Sequence, residues 1–329
     1  MAADMKLAGC SCSGPVDTVV DLRGPFSRLS RPRVRPASRT QRGFLSPPDS
    51  SVLFFLRRKA NAPVALSFEK IAGDKRTPLI ILHGLLGSKN NWKSISKALV
   101  HSTSRTVYVL DARNHGESPH TPTMTYQLMA RDLIAFLHSE GFSSAIVMGH
   151  SMGGRTAMAA ALLDAAMIRE LLVLDISPFG VSESISTLPR FVEMMRRIEL
   201  PSHLNLPQAR KVVDEMLLPI VPETGVRQFL LTNLYKADDG FKWKANLDAI
   251  SLCFNPHICT FPLDELPGQY EGPTSFIGGA LSDYINKRDI ERIREVFPRS
   301  EFHFVEGAGH WLHADKPKEF ISLVSSIIK

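Results

Sequence analysis

Residues 145–163 read AIVMGHSMGGRTAMAAALL, and the change of character halfway through this stretch decides the fold. The opening AIVMG is an apolar run of strand length that contains β-branched Ile146 and Val147. From Met152 onward Ala, Leu and Met dominate, and these are strong helix formers. Between the two halves lies Gly149-His150-Ser151-Met152-Gly153, a G-x-S-x-G with no residues to spare for a loop. A strand that turns at once into a helix forces its central residue into a strained backbone conformation. Glycines on both flanks relieve the crowding that side chains would cause there. The Ser151 oxygen is then lifted clear of the sheet at the positive end of a helix, where an attacking nucleophile is best placed.

Outward from this turn, short β-branched runs alternate with helical patterns. Strands are expected near 64–70, 78–82, 106–110, 145–149, 171–175, 274–278 and 301–305. Helices are expected near 92–100, 125–139, 152–164, 287–297 and 317–328. This alternation is the signature of an α/β fold with a mostly parallel twisted sheet and helices on both faces. It breaks between about 178 and 273, where no strand is evident and short helices are expected near 191–200, 207–218 and 224–235. An all-helical insertion between two sheet strands reads as a cap over the C-terminal edge of the sheet, the edge at which open α/β folds bind ligands.

Composition narrows the class. The chain has 329 residues, 44% of them apolar, with 39 Lys+Arg against 33 Asp+Glu, giving a net charge of +6. No apolar run approaches the ~18 residues of a membrane span, and collagen-like, coiled-coil and disulfide-scaffold classes do not fit. The positive charge is not spread over the chain. Residues 1–60 hold 11 of the Lys+Arg and 4 of the Asp+Glu, so residues 61–329 are nearly neutral and carry no nucleic-acid signature. The first 60 residues, Arg-rich, Ser-rich and poor in acids, are expected to be a disordered organellar transit peptide, leaving one folded α/β domain over 61–329. Arg42-Gly43-Phe44 before Leu45-Ser46 matches a mitochondrial processing site; a plastid is the alternative destination. Four cysteines make no disulfide framework here. Cys10 and Cys12 fall in the leader, while Cys253 and Cys259, which bracket His257, read as structural thiols rather than a metal site.

A serine nucleophile needs a base to take its proton. His310, in EGAGHWLHADKP after the last expected strand, is favoured over His313 because Gly307-Ala308-Gly309 gives it a flexible approach to the sheet edge. The developing oxyanion needs donors, and the segment Leu82-His83-Gly84-Leu85-Leu86-Gly87 suits that role. The expected pair is the backbone N–H of Leu85 and that of Met152. His150 is read as support beneath the turn. Arg113, Asn114 and His115, in the loop after strand 106–110, are read as bracing the two turns. The acid that orients the histidine is open among three aspartates. Asp283, just after strand 274–278, stands where this kind of sheet most often carries it. Asp175 ends strand 171–175, and Asp248 lies in the cap.

Together HGLLGSKNNW, DARNHGESPH, GHSMGGRTAM, LDISP, LLTNL, NLDAI and GAGHWLHADKP resemble the α/β-hydrolase domain-containing protein 11 family of mitochondria and its small bacterial esterase relatives. The resemblance covers residues 77–329. It implies an α/β-hydrolase fold with a small helical cap, serine esterase chemistry without a cofactor, and an organellar location. It matches Ser151 to the family's nucleophile and His310 to its base. For the acid it points two ways: the LDISP aspartate of the bacterial relatives corresponds to Asp175, and the acid assigned in the animal proteins corresponds to Asp248.

The expected chemistry is therefore hydrolysis of carboxylic esters, of lipids, acylglycerols or simpler alcohols, with thioesters compatible. No metal or cofactor is called for. The pocket is expected to be lined by Leu86, Phe191, Met194, Met195 and Phe229. Two other readings compete: a binding or scaffold protein of an organellar enzyme complex that kept the fold, and a lyase or perhydrolase using the same residues.

Overall fold

The computed structural model describes residues 62–329. The expected leader, its processing site, Cys10 and Cys12 lie outside the described residues. The strands in chain order are β1 (Phe68–Ile71), β2 (Lys75–Leu82), β3 (Arg105–Leu110), β4 (Ala145–His150), β5 (Ile168–Leu174), β6 (Leu234–Ala237), β7 (Gly240–Trp243), β8 (Thr274–Gly279) and β9 (Ser300–Val305). Seven of them form one sheet in the order β1-β3-β2-β4-β5-β8-β9. β1 runs antiparallel to β3 and every other neighbouring pair is parallel. All seven correspond to expected runs.

Successive side chains of a strand point to opposite faces, and β2 illustrates the result. Leu79 and Ile81 pack on one side with Val107, Ile146 and Met148, beneath helices α1 (Lys93–Thr103) and, at the end of the chain, 317–327. Ile80 and Leu82 pack on the other with Tyr108, Val147 and Val173, beneath α2 (Tyr126–Ser139) and α3 (Met152–Leu163). Apolar residues on both faces let β4 and β8 be buried along their whole length.

The insertion contains α4 (Glu183–Arg197), α5 (Leu206–Leu217), α6 (Thr224–Leu231), the β6–β7 hairpin and α7 (Leu247–Cys253); α8 (Ile290–Val296), α9 (Leu312–Asp315) and α10 (Pro317–Ile327) follow it. Three expectations need correction. The cap is not all helical: Leu234 to Trp243 forms an antiparallel hairpin, and Asp239-Gly240 was its sequence signal, with Gly240 at φ +126°. The helix expected over 224–235 accordingly stops at Leu231. Helix α4 starts eight residues before the expected 191, capped by Ser182, whose hydroxyl accepts the Ile185 amide at 3.2 Å, and it carries Pro189 in its interior.

The two ends of the insertion meet on one side chain. Arg155 of α3 is buried and donates to the carbonyls of Ser177 (3.0 Å) and Gly180 (3.0 Å) at the entry to the cap, and of Cys259 (2.7 Å) at its exit. No helix among the described residues is long and apolar enough to cross a membrane.

Candidate active site

Ser151 stands between β4 and α3 with φ 53° and ψ −116°, a conformation that non-glycine residues rarely adopt. Its amide donates to Leu174 O of β5 at 2.9 Å, which anchors the turn to the sheet. The flanking glycines are there for space. A Cβ on Gly149 would overlap the Gly153 carbonyl, and one on Gly153 would come within 2.5 Å of Leu82 O. Close packing of β2 against this turn thus brings the 82–87 loop beside Ser151.

His310 follows β9. Its Nδ1–H donates to Asp175 Oδ2 at 2.7 Å, and this bond fixes the tautomer that leaves Nε2 free to accept a proton. Asp175 is fully buried at the end of β5, with φ 48°. Its carboxylate also accepts the Gly279 amide at 3.0 Å and the Ser282 hydroxyl. Three donors therefore satisfy an anion taken out of water.

The structure thus brings Asp175, rather than Asp283, to His310. After β8 the chain makes a tight turn, Ser282 N donating to Gly279 O at 3.0 Å, and it is Ser282 that reaches Asp175. Asp283, one residue on, faces the cap and accepts the Ser184 amide at 3.3 Å. Asp248 lies on the outside of the cap in an ion pair with Arg196 (2.8 Å). Tyr284, which sequence reasoning missed, lies flat against the His310 ring, centroids 3.6 Å apart. His313 stacks instead on Trp92 at 4.2 Å. Burial pushes its pKa down to about 3, and its Nδ1 has no hydrogen-bond partner among the described residues.

Three further histidines support the site in neutral form. His150 Nε2–H donates to His310 O at 2.9 Å, holding the backbone of the base. His83 Nδ1–H donates to Gly84 O (2.8 Å) while its Nε2 accepts the Ala112 amide (3.0 Å). His115 mirrors it from the facing loop: Nδ1–H donates to Arg113 O (3.0 Å) and Nε2 accepts the Leu86 amide (3.1 Å). Burial lowers the pKa of all three, that of His115 to about 3. Arg113 itself forms a buried two-pronged pair with Asp132, at 2.6 and 2.7 Å.

Ser151 and His310 open onto a cavity of about 460 Å³ beneath the cap. Leu86, Phe191 and Phe229 line it as expected, and so does Leu85. Met194 and Met195 are not among the lining residues; Met195 is wholly buried in the cap. Leu188, Val226 and Trp311 add apolar wall, and Glu183, Glu223 and Asp283 add negative charge, with no Lys or Arg among the described residues that line it. No group of three His, Cys, Asp or Glu side chains that could hold a metal ion occurs among the described residues, and Cys253 and Cys259 are free thiols.

Comparison with known proteins agrees with this fold. A model of the α/β-hydrolase fold matches residues 77–317. The sn-1-specific diacylglycerol lipase ABHD11 of Mus musculus is 42% identical over 267 residues, 81% of this chain and 86% of the relative. The esterase YbfF of Escherichia coli K12 is 32% identical over 241 residues, 73% of this chain and 89% of the relative. Among solved structures, a marine microorganism esterase superimposes with a TM-score of 0.74 at 36% identity, over 80% of this chain and 99% of that one.

Proposed function

The chain belongs to the α/β-hydrolase fold family, and on that premise we propose that it is a serine ester hydrolase acting through Ser151, His310 and Asp175. The observation that carries this reading is the buried Asp175–His310 hydrogen bond on the cavity that Ser151 lines. In the reaction Ser151 Oγ attacks the ester carbonyl carbon as His310 Nε2 takes its proton. Asp175 holds the ring and stabilises the imidazolium. The C–O bond then breaks, and the alcohol leaves with the proton from Nε2. A water gives a proton to Nε2 and attacks the acyl-enzyme; as the acyl–Oγ bond breaks, Nε2 returns that proton to Ser151 Oγ and the acid is released.

The oxyanion would be held by the amides of Leu85 and Met152. In the 84–87 loop the Leu86 amide is committed to His115 and the Gly87 amide to Gly84 O, whereas Met152 carries the first amide of α3, which no helical carbonyl can reach. Apolar walls suit an acyl chain. The negative rim formed by Glu183, Glu223 and Asp283 favours uncharged esters over anionic ones such as phospholipids. An acylglycerol fits both requirements, in keeping with the lipase and esterase names of the relatives. The basic, acid-poor leader supports a mitochondrial matrix location, with a plastid as the alternative.

The test is fluorophosphonate labelling of the protein, together with turnover of p-nitrophenyl esters of increasing chain length and of diacylglycerol. Loss of both labelling and turnover in Ser151→Ala supports the reading. A folded protein that neither labels nor turns over any ester overturns it and turns attention to binding partners.

A further inference from the structure

One residue of the loop beside Ser151, Leu86, is gripped at both its backbone N–H and its carbonyl, and one of the grips comes from the cap. Leu86 adopts a left-handed conformation, φ 59°, in the loop that carries the Leu85 amide. Its N–H is taken by His115 Nε2 at 3.1 Å. Its carbonyl accepts a hydrogen bond of 2.6 Å from Nδ2 of Asn233, a cap residue that is 2% exposed and lies between α6 and β6. A carbonyl can only accept, so the amide nitrogen of Asn233 must face it. The same nitrogen donates to Leu230 O at 3.3 Å, which ties the side chain to α6, and the backbone carbonyl of Asn233 accepts the Lys244 amide at 2.8 Å, which ties its backbone to the residue after the hairpin. A second cap residue closes the circuit. Asn246 donates through its backbone to Asn114 O (2.8 Å) and through Nδ2 to Asn114 Oδ1 (3.1 Å), and Asn114 is the neighbour of His115.

We propose that Asn233 is a positioning residue that makes the oxyanion site depend on the seating of the cap. Resting on the serine-hydrolase reading above, this inference adds a link that the cavity alone does not require. Asn233 lies outside the cavity lining, yet it holds the loop whose Leu85 amide faces the reacting carbonyl. A cap that lifts, carrying Asn233 away from Leu86, would free the Leu86 carbonyl and let the donor drift. Donor placement matters at the sub-ångström level, and so the consequence appears in the chemical step rather than in substrate binding.

The experiment uses the full chain and a short p-nitrophenyl ester. Asn233→Ala and Asn233→Asp are compared with Trp243→Phe, which removes the bond from Trp243 Nε1 to Met195 O inside the cap. The expected result is a fall in kcat of about 10–100-fold in both Asn233 variants with KM nearly unchanged, and a parallel fall in the rate of fluorophosphonate labelling. Trp243→Phe should keep both rates. Combining Asn233→Ala with His115→Ala should cost less than the product of the single losses, because both hold the backbone of one residue, Leu86. If Asn233→Ala does not fold, Asn233→Ser carries the test, since it keeps a shorter donor and should give an intermediate kcat. Folded Asn233 variants with normal kcat, or with changes in kcat and KM that Trp243→Phe reproduces, overturn the proposal. Ser151→Ala run alongside separates the two readings. Turnover that survives it removes the hydrolase reading; turnover that needs Ser151 but ignores Asn233 removes only this one.

Discussion

The edge of the sheet and the cap above it are held together by different means. At the edge, Ser151, His310 and Asp175 stand on turns whose backbone is pinned by buried neutral histidines and by glycines at close approach. Little there is free to adjust. The cap relies on amphipathic helices and on exposed ion pairs such as Arg196–Glu193 and Arg197–Glu193, and it leaves Met216, Leu218 and Ile220 partly exposed. The contrast separates two tasks. Bond-making atoms need fixed positions, whereas a surface that meets a flexible acyl chain needs only shape and polarity.

Several substitutions would break or sharpen that contrast. Ser151→Ala should remove turnover by about 10⁵–10⁶-fold, read as single-turnover hydrolysis. Asp175→Asn should lower kcat by about 10⁴-fold, because the amide holds the wrong tautomer of His310, while Asp283→Asn should cost less than about tenfold. The reverse ranking in steady-state kinetics would restore Asp283 as the acid. In the cap, Phe229→Ala should cut kcat/KM for long-chain esters by about tenfold and leave short ones little changed, which a chain-length series reads directly.

His313→Phe probes the edge through stability. The folded protein keeps His313 neutral down to about pH 3, but the unfolded chain protonates it below about 6.5. Stability from this group is therefore complete above that upper value and drains as pH falls, at about 1.4 kcal/mol per pH unit. Urea unfolding between about pH 4 and 6 should show a shallower slope in the variant. The smallest effect is expected from Glu193→Ala on the cap surface, whose melting temperature should be indistinguishable from the parent.

Legibility in the sequence followed the range of the forces involved. The turn at Ser151 could be read because its cause is local: strand, helix and two glycines lie within a few residues. His310 was legible for the same reason, on its Gly307-Ala308-Gly309 approach. The acid was not, since three aspartates end or follow suitable elements and the choice depends on how the chain after β8 turns Ser282 inward and Asp283 outward. Of the expected pocket residues, Leu86, Phe191 and Phe229 line the cavity, while Met194 and Met195 failed in a similar way. Ser184, Thr187, Leu188 and Phe191 form one stripe of α4 facing the cavity. The stripe stops there because the next turn packs on the hairpin, where Trp243 donates to Met195 O at 3.0 Å. Pro189 hid the start of that helix, and the hairpin's four-residue strands were too short to announce themselves beside the Asp239-Gly240 signal.

Arg155 gives the cap a modular character. Because Gly180 and Cys259 both bond to its guanidinium, the two points where the insertion leaves and rejoins the fold lie within the span of one side chain. A linker of a few residues, at about 3.3–3.6 Å each, could bridge them. The cap is thus an exchangeable cartridge. Its length and sequence can be rewritten between those two points, provided Asn233 and Asn246 keep their bonds to Leu86 and Asn114, while the strand order, and the turns that carry Ser151 and His310, keep their connections.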